Sequence, residues 1–126
     1  MKLDKPTAIA RRNASLARPV LTSDNTLFAI LDRKRNLWWF EVPVGLLRKG
    51  QPDWVNLLLH TPESDDLQHL KVPINFLSAH LEQLEVRHPG KRRSTISLAL
   101  SADRDSLLRD IRPGGENLDF KTFVQP

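Results

Sequence analysis

The chain contains no cysteine, which excludes a disulfide framework, a thiolate nucleophile and any cysteine-ligated zinc or iron–sulfur centre. No apolar run approaches the roughly 18–20 residues needed for a membrane-spanning helix. There is no glycine-rich phosphate loop, no nucleophile–base pair and no paired general acid and base, so neither catalysis nor a cofactor is the expected business of this protein. Four histidines, His60, His69, His80 and His88, are present, but none is spaced from another as metal ligands on a helix would be, and no metal site is expected. His69 alternates with Leu70 in an apolar stretch and is expected to be half exposed on a strand.

What remains is ordinary globular material. The 126 residues are 40% hydrophobic and 27% charged, with a net charge of +4, enough for one domain with a packed core. The charge is uneven. The first 26 residues hold five basic side chains against two acidic ones, whereas the remaining hundred hold fourteen against thirteen. A basic arm (residues 1–25) therefore precedes a nearly neutral single domain (residues 26–126). Residues 7–18 of the arm are expected as a helix or a mobile tail: Pro6 suits a first turn and four alanines favour helix, but the apolar stripe is thin. Arg11, Arg12 and Asn13 fall where the apolar core of a secretory signal would lie. With no membrane partner indicated, a cytoplasmic location is expected.

The body reads as strands. Residues 27–31 and 37–42 are apolar runs separated by a polar turn of hairpin length, DRKRN. Residues 54–59 and 95–100 are further candidates, the latter alternating Ile96, Leu98 and Leu100 with small polar residues. An internal match organises these pieces. Residues 37–47 (LWWFEVPVGLL) align without gaps on residues 67–77 (LQHLKVPINFL), and each copy is followed by a strand candidate. The repeat units are residues 37–60 and 67–101, the second carrying an 11-residue insertion. In each unit a strand ends at Val-Pro, and the proline opens a helix that returns to a strand. The second helix is expected over residues 74–84, and the expected core is Leu31, Phe40, Val42, Leu57, Leu70, Val72, Phe76, Leu77, Leu81, Leu98 and Leu100. A last strand is expected over residues 118–124.

These features predict an α+β fold of six to seven mostly antiparallel strands with two helices. The strand–Val-Pro–helix–strand units resemble those of the AbrB-like and B3-like DNA-binding domains, which implies a pseudo-symmetric, partly open β-barrel of the cradle-loop kind. The competing arrangement places the helices on one face of a mixed sheet. A second, shorter resemblance is that of Asp110 and Asp119-Phe120-Lys121 to the metal-binding skeleton of PD-(D/E)xK nucleases. The alternative reading makes Asp119 and Lys121 the outward face of the terminal strand.

Function is read from charge and aromatics. Arg33, Lys34 and Arg35 form one basic loop, Lys91, Arg92 and Arg93 another, and Arg11 and Arg12 lie in the arm. Three such clusters on one side of the molecule would follow a phosphate backbone, so nucleic acid, DNA ahead of RNA, is the expected partner. Trp38 and Trp39 are adjacent in a strand and must face opposite sides, so at least one indole is expected on a second surface, stacking a base or anchoring a protein. The competing function is a protein-interaction module of inhibitor, immunity or adaptor type that uses this aromatic face.

Overall fold

A computed structural model describes residues 3–47, 53–87, 94–112 and 117–126. Helix α1 (Lys5–Ala14) is followed by strands β1 (Thr26–Ile30), β2 (Leu37–Pro43), β3 (Trp54–Thr61) and β4 (Asp66–Pro73). Helix α2 (Ile74–Ala79), β5 (Glu85–Arg87) and β6 (Thr95–Ser101) complete the order. The six strands form two three-stranded sheets, β1-β3-β4 and β2-β6-β5, antiparallel except for the parallel β1–β3 pair. The fold is α+β as expected, without a closed barrel.

The core fills the space between the sheets. Strand alternation sends Trp38, Phe40 and Val42 of β2 inward to meet Val55, Leu57 and Leu59 of β3 and Ile96, Leu98 and Leu100 of β6. Full burial of a leucine side chain contributes about 1.5–3 kcal/mol, and this layer is the main source of stability. Leu58 points the other way yet is also fully buried, because α1 lies on the outer face of the first sheet and covers it with Ala8, joined by Leu21 from the segment after the helix. Asp4 starts α1 by accepting a hydrogen bond from the Thr7 amide, which also holds the Asp4 carboxyl below its usual range.

Both Val-Pro segments end a strand and open a helical turn: a 3-10 turn over Val44–Leu47 after Pro43, and α2 after Pro73. The pairing registers carry the offsets of the sequence match. Pro43 opposes Thr95, Val42 opposes Ile96 and Phe40 opposes Leu98. Thirty residues on in one strand and forty-one back in the other, Pro73 opposes Trp54, Val72 opposes Val55 and Leu70 opposes Leu57.

Three expectations are corrected. Residues 27–31 and 37–42 do not form a hairpin: after the Asp32–Leu37 bridge they diverge into different sheets, and β1 pairs with β3. The second helix stops at Ala79, because the His80 ring hydrogen-bonds the Phe76 carbonyl at 2.8 Å and the chain then turns through a 3-10 segment; Leu81 is consequently 36% exposed. Residues 118–124 make isolated bridges instead of a strand, since Asp119 accepts from the Lys121 amide and initiates a 3-10 turn over Lys121–Phe123.

Candidate functional site

The outer face of the second sheet is set by β2. Leu37, Trp39 and Glu41 alternate with the inward residues. Trp38 is removed from the candidate surface: it is buried, and its indole N–H donates to the His60 carbonyl across the two sheets at 3.1 Å. Trp39 is half-buried on the outer face, with the guanidinium carbons of Arg35 and Arg87 at 5.4 and 5.2 Å from its ring centroid. Both distances are within cation–π range. Beside it, Glu41 accepts hydrogen bonds from Trp39 Nε1, Thr95 Oγ1 and Ser97 Oγ. Burial alone would raise the Glu41 pKa, but these donors outweigh it and hold the carboxyl below its usual range.

Several of the basic side chains are held by carboxylates within the fold. Arg33 pairs with Glu63 at 2.8 Å, joining the turns that follow the parallel strands β1 and β3. Arg35 pairs with Asp32 at 2.8 Å and lowers the Asp32 pKa. Lys34 is exposed between them. Arg11 and Arg12, on α1, lie over the first sheet and do not join the Trp39 surface. Lys91, Arg92 and Arg93 lie outside the described residues.

Arg11 and Arg12 instead tie the arm down. Arg11 pairs with Asp65 at 2.9 Å, and the same carboxylate oxygen is 2.9 Å from His60 Nε2. The hydrogen bonds from His60 and Arg11 pull the Asp65 pKa down. Arg12 uses all three guanidinium nitrogens within the fold, on His69 Nδ1, Ser15 Oγ and the Pro126 carbonyl. His69 is therefore buried, 5% exposed, and not half exposed: the arm covers the face on which it was expected to meet water. Its Nδ1 accepts from Arg12 at 3.0 Å, so Nε2 carries the proton and donates to Asn56 Oδ1 at 2.8 Å. Burial first, then Arg12 and Lys71, lower the His69 pKa to about 4.

The arm covers only part of the first sheet's outer face. Towards the Trp54 end of β3 a cleft of about 350 Å³ remains open. Asn56 and His69 line it from the sheet, with Trp54 and Lys71 beside them; Leu16 and Val20 of the arm also contribute. The Lys71 ammonium stands 4.6 Å from the Trp54 ring centroid, and Trp54 is 43% exposed.

The three residues of the nuclease resemblance do not assemble. Asp110 is fully buried, accepting from the Ala99 amide and from Arg112 Nε at 2.8 Å, whereas Asp119 is partly exposed beside Arg109 at 3.8 Å. Adjacent residues of an extended segment, Arg109 and Asp110, thus lead to opposite sides. Among the described residues no group of three or more His, Asp or Glu side chains is placed to hold a metal ion, and no helix is long and apolar enough to cross a membrane.

No family model matches the chain, and neither the curated proteins nor the solved structures provide a match. Sequence reasoning missed the cleft. Its signal was Asn56 inside the run WVNLLL, a polar side chain where every neighbour in the strand is apolar, with His69 and Lys71 at alternating positions of the next strand.

Proposed function

We propose that the protein binds nucleic acid through the outer face of the second sheet, with an unpaired base stacking at Trp39. Arg35 and Arg87 flank the stacked base, Lys34 contacts phosphate at one end of β2, and Lys91, Arg92 and Arg93 do so from the connection between β5 and β6. That connection leaves and re-enters the sheet next to the Arg87–Thr95 pair, at the opposite end of β2 from Lys34. The observation that carries the reading is the half-buried Trp39 ring with the guanidinium carbons of Arg35 and Arg87 within 5.4 Å of its centroid, an aromatic platform in a cationic setting suited to single strands once a base displaces a guanidinium from the ring. DNA is the preferred substrate in this reading, and the cytoplasm its setting.

The test is titration of a fluorescent twelve-residue oligo(dT), its RNA counterpart and a duplex at several salt concentrations. Trp39→Ala should weaken single-strand binding about tenfold or more, since stacking of one base is worth roughly 1–3 kcal/mol. Replacing Lys91, Arg92 and Arg93 with serine should flatten the salt dependence by roughly one logarithmic unit for each phosphate that is no longer engaged. Binding that ignores both changes, or no binding at low salt, rejects the proposal. The pairing of Arg33 with Glu63 and of Arg35 with Asp32 favours a second reading, a protein-interaction surface centred on Trp39. A partner that binds through Trp39 with little salt dependence would select it.

A further inference from the structure

The cleft on the first sheet stands apart from the surface proposed for nucleic acid and has a chemistry of its own. In register, Lys71 and His69 of β4 correspond to Glu41 and Trp39 of β2, and Asn56 and Trp54 of β3 to Ser97 and Thr95 of β6. On the second sheet these positions hold an anion, the Glu41 carboxylate, and the donors that satisfy it. On the first sheet they hold a cation. Lys71 lies against the Trp54 ring, and no Asp or Glu lines the cleft among the described residues. Arg12 also lines the wall, with its guanidinium nitrogens already engaged by His69, Ser15 and the Pro126 carbonyl, so Lys71 is the cation the cleft offers.

The floor is polar and fixed. Asn56 and His69 are each 5% exposed and hydrogen-bonded to each other. A further hydrogen bond, from Asn56 Nδ2 to the Asn25 carbonyl at 3.3 Å, ties the floor to the arm. A buried polar pair contributes less to stability than well-packed apolar side chains of similar size, and Leu58, the next outward residue of β3, shows that an apolar side chain is accommodated on this face. The walls supply apolar surface from Leu16, Val20 and the exposed indole. The volume matches the lower end of small-molecule sites.

We infer that this cleft binds a small planar organic anion, its ring against Trp54 and the arm's apolar wall and its charged group at Lys71. A free aryl acid and a nucleotide both carry such a ring, and the recognition chemistry is shared. Calorimetric titration with 2-naphthoate and, separately, adenosine 5′-monophosphate distinguishes the two sources. Saturable binding of either is expected, at least tenfold weaker in Lys71→Met and in Trp54→Ala, and unchanged in Trp39→Ala. The neutral 2-naphthamide should bind at least tenfold more weakly than 2-naphthoate if the aryl acid is the ligand. Circular dichroism of both variants confirms that the fold is retained. Absence of saturable binding by both probes up to millimolar concentration, or binding unaffected by Lys71→Met, overturns the inference. Because Trp39 belongs to the other sheet, its variant separates failure here from failure of the nucleic-acid reading.

Discussion

The two outer sheet faces share a pairing register and differ in how they are finished. On the second sheet Glu41 is saturated by Thr95, Ser97 and Trp39, so the face is closed by hydrogen bonds between its own strands, with the half-buried Trp39 ring beside Arg35 and Arg87. The first sheet is finished by a separate piece of chain. Helix α1 covers Leu58, its arginines engage Asp65 and His69, and the cover stops short of Trp54 and Lys71. A face closed by its own strands is rigid by construction. One closed by an added helix depends on that helix staying in place, and the uncovered remainder becomes a cleft.

The contrast breaks most severely at Leu58. Ala99 occupies the corresponding position on the second sheet, already small. Leu58→Ala should cost about 2–5 kcal/mol by leaving a cavity under α1, read as a lowered denaturant midpoint. Release of the arm should appear in the same variant as early proteolysis near residues 15–25. A loss below 1 kcal/mol with the arm still protected would mean that α1 contributes little to the first sheet's outer face.

Glu41 ranks next. Glu41→Met leaves Thr95, Ser97 and the Trp39 indole without their acceptor, at a cost of about 1–3 kcal/mol. Glu41→Gln, which keeps an acceptor oxygen, should recover much of it. Chemical denaturation of the pair measures the difference, and equal losses would show that volume at this position matters more than the hydrogen bonds.

How much of this is legible in the sequence follows from the range of the forces involved. Strand periodicity and the Val-Pro corners are local, so they assign Phe40, Val42, Leu70, Val72, Leu98 and Leu100 to the core, and all six are buried there. The match between residues 37–47 and 67–77 also anticipates where both strands end. The parallel β1–β3 pair is hidden, because the polar turn after Leu31 carries every local sign of a hairpin and only distant packing decides otherwise. The fate of Arg11, Arg12, Arg33 and Arg35 is hidden for a similar reason. Of their carboxylate and histidine partners only Asp32 is close in sequence, and Asp65, His69 and Glu63 reach them through the folded chain. Net charge thus overstates how many of these cations remain for a phosphate backbone.

Acid should act on one face before the other. His69 titrates near 4 in the folded protein against 6.5 for an unperturbed histidine, so between these values the unfolded chain binds a proton that the folded chain does not. Stability must therefore fall as pH drops from about 6.5 to about 4, by up to about 3 kcal/mol. Protonation would also set an Nδ1–H against the Arg12 Nε–H, loosening the arm first. The pKa values of Glu41 and Asp65 are lowered, so their contributions are lost only at more acidic pH. Replacing His69 with glutamine should flatten the upper part of the stability curve, which denaturation at a series of pH values reads directly; an unaltered curve would refute the assignment of this window to His69.

The smallest expected effect is at Lys71, and it is the sharpest test of the asymmetry. Its register counterpart Glu41 has three side-chain donors, whereas the described partner of the Lys71 ammonium is the Trp54 ring. A partly exposed cation–π interaction is worth about 0.5–1 kcal/mol, and the methionine side chain of Lys71→Met keeps most of the apolar stem against the indole while removing a positive charge beside Arg12 and His69. The missing attraction and the relieved repulsion should nearly cancel, leaving stability within about 0.5 kcal/mol of the parent. A chain that tolerates removal of the cation at 71 but not of the anion at 41 holds the two charges for different reasons: Glu41 completes the fold, and Lys71 is available to something that is not part of it. A stability loss at Lys71→Met comparable to that at Glu41→Met would return Lys71 to the structural side and remove the asymmetry between the two faces.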